Sequence, residues 1–111
     1  MEKMKDLRPI LLVEDSANDV ELTLAALAQC SIANEVVVVR DGAEALDYVY
    51  RQGAHASRAP GEPAVILLDL KLPKIDGLEV LSRLKADPQQ QQIPVVMLTS
   101  SREERDVVRS Y

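Results

Sequence analysis

The sequence has no tryptophan, no phenylalanine and only three tyrosines, so its core must be aliphatic. A single cysteine, Cys30, excludes an internal disulfide and fits a reducing cytoplasm. Cys30 reads as a small packing residue near a helix end. No apolar run approaches membrane-spanning length, and the N-terminus, MEKMKDLRP, lacks a signal-peptide core, so no membrane association is expected. Basic residues are outnumbered, 13 Lys and Arg against 18 Asp and Glu, and no basic patch stands out. The net charge of -5 disfavours nonspecific nucleic-acid binding. The only histidine, His55, lies in a stretch rich in Gly, Pro and Ala, and reads as solvated. No internal repeat is present.

What is there is a chain of 111 residues, enough for one domain and a real core. Hydrophobic residues make up 47% and charged residues 28%, ordinary for a globular protein. The organising stretch is AVILLDLKLPKIDG, residues 64–77. Four aliphatic residues in a row, Val65 to Leu68, read as a strand buried on both faces, as in the middle of a parallel sheet. The run ends on Asp69, where a buried strand surfaces at its C-terminal mouth. Ligands bind along that edge of open parallel sheets. Pro73 stops regular structure, and Asp76-Gly77 opens the next helix.

The same pattern recurs along the chain. Ile10 to Val13 is a first buried strand, ending on Glu14-Asp15. Ser16 begins a helix with Asp19 as capping partner, and Val20, Leu24 and Leu27 mark its buried stripe. Ser31 to Asn34 turns the chain into four valines, Val36 to Val39, a second strand. Asp41-Gly42-Ala43-Glu44 is a capping box. Ala45, Leu46, Val49 and Tyr50 supply the buried side of that helix, and Gly53 ends it. Residues 53–62 form a mobile solvent loop. After the central strand, Asp76 and Glu79 cap a helix with Val80, Leu81 and Leu84 inside, and Asp87-Pro88 stops it. Pro94 to Leu98 is a fourth strand, ending on Thr99-Ser100-Ser101. Ser101 and Glu104 begin a last helix.

Strands alternating with amphipathic helices predict an α/β fold, a doubly wound parallel sheet with right-handed crossovers. The first, third and fourth strands end in Glu14-Asp15, Asp69 and Thr99. If these strands are neighbours, three carboxylates and a hydroxyl meet at one edge. Two carboxylates at 4 Å repel by about 4 kcal/mol at an effective dielectric near 20, a cost that a divalent cation removes. Oxygen ligands without Cys or His point to Mg²⁺ or Mn²⁺ rather than zinc. Such an ion completes its shell with water and phosphate oxygens, which leaves an Asp available as nucleophile.

The motifs LLVED at 11–15, DLKLPKIDG at 69–77 and VVMLTSS at 95–101 resemble the response-regulator family, specifically its receiver domain. Their separations fit too, 54 residues from Asp15 to Asp69 and 30 from Asp69 to Thr99. VRDGAEALDYV, the loop around His55 and IPVVMLTSS are most similar to single-domain regulators paired with phytochrome kinases. The resemblance implies a flavodoxin-like strand order 2-1-3-4(-5) and a cytoplasmic signalling protein. It implies that Asp69 accepts a phosphoryl group from a sensor histidine kinase, of phytochrome type by the narrower match. It implies Mg²⁺ on Glu14, Asp15, Asp69 and the backbone carbonyl of Lys71. Thr99 would be the switch hydroxyl, small Ser100 would leave the approach open, and Lys71 and Ser101 would tune the life of the acyl phosphate.

The resemblance covers four of the family's five βα units, so residues 1–111 are expected to form a C-terminally incomplete receiver. The fifth strand and helix, and the lysine that pairs with the phosphoryl group in the family, would fall beyond Tyr111. A homodimer is expected for such a chain. Two alternatives remain from the sequence. An Mg²⁺-dependent aspartyl-phosphate phosphohydrolase would carry a second Asp where this chain has Lys71. A receiver-like interaction module would take no phosphate.

Overall fold

Four short aliphatic strands carry the fold of this computed structural model, which describes residues 8–70, 72 and 74–98. They are β1 (Ile10–Val13), β2 (Val36–Val39), β3 (Val65–Asp69) and β4 (Val95–Leu98). Between them run α1 (Ala17–Gln29), α2 (Gly42–Tyr50) and α3 (Gly77–Ala86). All pairings are parallel, in the order β2-β1-β3-β4. The α/β class and the expected flavodoxin-like order are both observed. The last helix expected from Ser101 and Glu104 lies outside the described residues.

The order dictates the layers. From β1 the chain steps to β2 on one side, then crosses back over β1 to β3 and on to β4. Right-handed crossovers then put α1 on one face and α2 and α3 on the other. Side chains alternate accordingly. Leu11, Val13, Val39, Ile66 and Leu68 pack with Ala45, Leu46, Val49, Val80 and Leu84 in one cluster. Ile10 and Leu12 point to the α1 face and are buried there, with Val20 of α1 also buried.

The helix starts are fixed as their sequences predict. Ser16 Oγ accepts from Asp19 N at 3.3 Å, Asp41 Oδ1 from Glu44 N at 2.7 Å, and Asp76 Oδ1 from Glu79 N at 3.0 Å. Each bond satisfies a donor that the first helical turn leaves open. Between α2 and α3, the Tyr50 hydroxyl donates to Asp87 Oδ2 at 2.8 Å.

Several expectations need correction. Of the α1 stripe only Val20 is buried; Leu24 is 36% exposed and Leu27 half-buried. The 13-residue helix is about 20 Å long, whereas the four-residue β1 beneath it spans about 13 Å, so the last turn of α1, with Leu27, outruns that strand. Cys30 is exposed at the end of that overhang. Helix α2 stops at Tyr50 rather than at Gly53, because Arg51 takes the left-handed conformation that ends a helix, at φ 57°. Tyr48, absent from the expected buried set, is 5% exposed.

The loop at 53–62 is exposed, as expected, but it is tied down rather than loose. Gly53–His55 forms a short 3-10 turn. Arg58 folds back over α2 and donates from Nε to Tyr48 O at 2.7 Å, and from Nη1 to Ala59 O at 2.7 Å and Gly61 O at 3.0 Å. Its guanidinium also lies 4.2 Å from the centre of the Tyr48 ring, a cation–π arrangement. His55 is not simply solvated either. Its Nε2 is 3.0 Å from Glu44 Oε2, and its ring meets Tyr48 edge-on.

Candidate functional site

Strand C-termini line one edge of a parallel sheet, and β1 and β3 flank the point where the winding direction reverses. A crevice opens at such a point because the connections leave to opposite faces. Glu14 and Asp15 follow β1, and Asp69 ends β3, so topology alone delivers all three acids to that crevice.

Backbone bonds then fix them. Glu14 N donates to Val39 O at 3.0 Å, carrying the β1–β2 ladder one residue past the strand. Leu70 N donates to Leu98 O at 3.2 Å and does the same for β3 beside Asp69. Gly77 N donates to Leu70 O at 3.1 Å and closes the connection that follows Asp69. Gly77 also lies flat on the Asp69 carbonyl: a Cβ there would overlap the Asp69 oxygen and come within 3.1 Å of its carbonyl carbon.

A carboxylate oxygen of each of Glu14, Asp15 and Asp69 lies within 4.8 Å of the other two. Glu14 is 4% exposed and Asp69 3%, whereas Asp15 is exposed. Burial pushes the Glu14 carboxyl up from 4.5 to about 7. A hydrogen bond from Ser16 N to Glu14 Oε2, at 3.2 Å, opposes this, and Asp69, Asp19 and Asp15 add to it by repulsion. Two like charges at 4.8 Å cost about 3–4 kcal/mol at an effective dielectric near 20. Among the described residues no Lys or Arg forms an ion pair with Glu14 or Asp15. Three acidic oxygen donors gathered within 4.8 Å suit a hard dication of the Mg²⁺ or Mn²⁺ type.

The three acids expected to meet do meet. Lys71, Thr99, Ser100 and Ser101, the other residues singled out, lie outside the described residues. Asp19 contributes to the field at Glu14, a part that the sequence hid because Asp19 reads as a capping partner for Ser16. Gly77 was legible only as a helix start, yet its missing side chain is what lets α3 rest on Asp69.

Comparison with known proteins gives a consistent result. Residues 10–111 match the family model of the response regulator receiver domain. Response regulator Rcp1 of Synechocystis sp. (strain ATCC 27184 / PCC 6803 / Kazusa) is 45% identical over 102 residues, 92% of this chain and 68% of Rcp1. The bacteriophytochrome response regulator AtBRR superposes with a TM-score of 0.85 at 64% identity, over 96% of this chain and 76% of that one. The phosphorylated cyanobacterial phytochrome response regulator RcpA superposes at 0.77 with 46% identity, over 91% and 71% of the two chains. The Mn²⁺-bound form of a response regulator named Rcp1 gives 0.77 with 44% identity, over 90% and 70%.

Proposed function

The chain belongs to the response regulator receiver domain family, and on that premise we propose that it takes a phosphoryl group from a sensor histidine kinase onto Asp69. The observation that carries this reading is the meeting of Glu14, Asp15 and Asp69 at the sheet's C-terminal edge, two of them buried. Glu14, Asp15 and Asp69, with the backbone carbonyl of Lys71, would hold the Mg²⁺ or Mn²⁺. That ion supplies charge neutralisation for the carboxylates and the incoming phosphoryl oxygens.

The chemistry then falls to the chain's own groups. An Asp69 carboxylate oxygen attacks phosphorus in line with the phosphohistidine nitrogen. The P–O bond forms as the P–N bond breaks, and the imidazole leaves with the bonding pair. The carbonyl of Asp69 is pinned by the neighbouring ladder and by Gly77, which limits the side chain's search for the attack geometry. Thr99 is the hydroxyl that would move to bond the new phosphoryl oxygens. Water later cleaves the acyl phosphate, so the domain catalyses only its own charging and slow discharge.

The narrower features are part of the same proposal. A phytochrome-type kinase is supported by the relatives, since AtBRR and RcpA are phytochrome response regulators. A cytoplasmic setting is supported by the single cysteine. No described helix is long and apolar enough to cross a membrane. A homodimer is supported by exposed apolar side chains, Val96 at 47% and Leu24 at 36%, on the face opposite α2 and α3. The net charge of -5 argues against a nucleic-acid partner.

The test is transfer from an autophosphorylated histidine kinase, followed by label on each protein. Label should pass to the wild-type chain in Mg²⁺ and not to Asp69→Asn. Equal labelling of both chains would exclude Asp69 as the acceptor.

A further inference from the structure

The connection between Asp69 and α3 is braced by a second helix. Gly42, the first residue of α2, is buried directly against the backbone of Ile75. A Cβ on Gly42 would overlap the Ile75 carbonyl oxygen and fall 2.8 Å from its carbonyl carbon and 2.9 Å from its Cβ. Backbone cannot yield as the tip of a flexible side chain can. Next to this contact, Lys74 Nζ is 3.5 Å from Asp41 Oδ2, and Asp41 is the N-cap of α2. Lys74 itself is held in the left-handed conformation, at φ 68°. The Ile75 side chain packs against the cluster that contains Leu46.

The start of α2 is itself held on three sides. Asp41 Oδ1 accepts from Glu44 N at 2.7 Å, Glu44 Oε1 accepts from Arg40 N at 3.1 Å, and Glu44 Oε2 meets His55 Nε2 at 3.0 Å. It is a firm surface, and Lys74 and Ile75 of the connection rest against it. At its far end the same connection closes on the Leu70 carbonyl through Gly77. The connection between β3 and α3 is thus held at Leu70 by Gly77 and at Ile75 by Gly42.

We infer that Gly42 is a positioning residue for the phosphoacceptor site. It fixes where the connection after Asp69 runs at Lys74 and Ile75, and with it the direction of the Asp69 carboxylate. This rests on the function proposed above. A side chain at residue 42 would push the Ile75 backbone away from α2, and the site would lose oxygen donors from the geometry a small dication requires.

The experiment compares wild type, Gly42→Ala and Leu84→Ala, with Mg²⁺ affinity by calorimetry, amide shifts without metal, and thermal unfolding in EDTA. Leu84 is 1% exposed in the core cluster, near the C-terminal end of α3, and serves as a destabilised control. Gly42→Ala is expected to weaken Mg²⁺ binding about tenfold or more, with metal-free shifts concentrated at residues 69–77. Leu84→Ala should unfold at lower temperature yet bind Mg²⁺ as wild type does at temperatures where it is folded. A folded Gly42→Ala with wild-type affinity would overturn the inference. Should that variant not fold, Ile75→Ala decides: affinity reduced threefold or more supports the brace, and unchanged affinity overturns it. Wild type that binds no Mg²⁺ would instead strike at the proposed function, so the two failures are distinguishable.

Discussion

Glu14, directly after β1, and Asp69, the last residue of the adjacent parallel β3, are each nearly sealed from solvent, with a carboxylate oxygen of one within 4.8 Å of an oxygen of the other. Neither burial nor proximity is favourable for two ionised acids, and the fold imposes both. The arrangement stores an electrostatic cost in the metal-free chain that a dication relieves.

That cost sets a pH dependence. The Glu14 carboxyl titrates at about 7 in the folded chain against 4.5 ordinarily, so between those values the folded chain keeps a proton that the unfolded chain has released. Stability contributed by this group is complete at the acid end and falls as pH rises through the window, by about 3 kcal/mol in all. Urea unfolding in EDTA from pH 4.5 to 7.5 should show this loss in wild type minus Glu14→Gln. Saturating Mg²⁺ should reverse the trend, because metal ligands must be deprotonated.

Asp15 is exposed and carries no burial cost in the folded chain, but its carboxylate lies within 4.8 Å of the other two. Asp15→Asn should weaken Mg²⁺ binding by about tenfold or more, since one charge beside a dication is worth several kcal/mol at an effective dielectric near 20. Metal-free stability should stay level or rise slightly. Calorimetric titration and thermal unfolding of the same samples check both halves.

Leucines predicted alike from helical spacing should behave differently. Leu84 is 1% exposed and Leu24 36%. Leu84→Ala should cost about 2–5 kcal/mol through lost burial and a cavity, and Leu24→Ala below about 1 kcal/mol. Paired urea titrations measure the difference.

Arg58 holds its loop by a fork that lysine cannot reproduce. Arg58→Ala should cost about 2 kcal/mol, counting several carbonyl hydrogen bonds and the Tyr48 contact. Arg58→Lys should recover less than half of that. Amide exchange across residues 56–62 should speed up in both variants, while Mg²⁺ affinity stays unchanged.

Much of this was readable from the residues. Each strand is an aliphatic run stopped by a polar residue, and a parallel sheet is what such runs build when helices alternate with them. The acids at 14, 15 and 69 could be grouped because all parallel strands end on one edge. What escaped was geometry that periodicity does not encode. Spacing shows that Leu24 and Leu27 share a face with Val20, but not that only Val20 of the three is buried. Arg58 bonds to backbone carbonyls, which carry no sequence signature. Gly42 looks like part of a helix start, and only the approach of Ile75 gives it a second role.

The most direct measurement is intact mass and peptide fragmentation after incubation with acetyl phosphate. Wild type with Mg²⁺ should gain one phosphoryl group, located on Asp69, and should gain none in EDTA. A modification found elsewhere, or one formed equally in Asp69→Asn or without metal, would contradict the account.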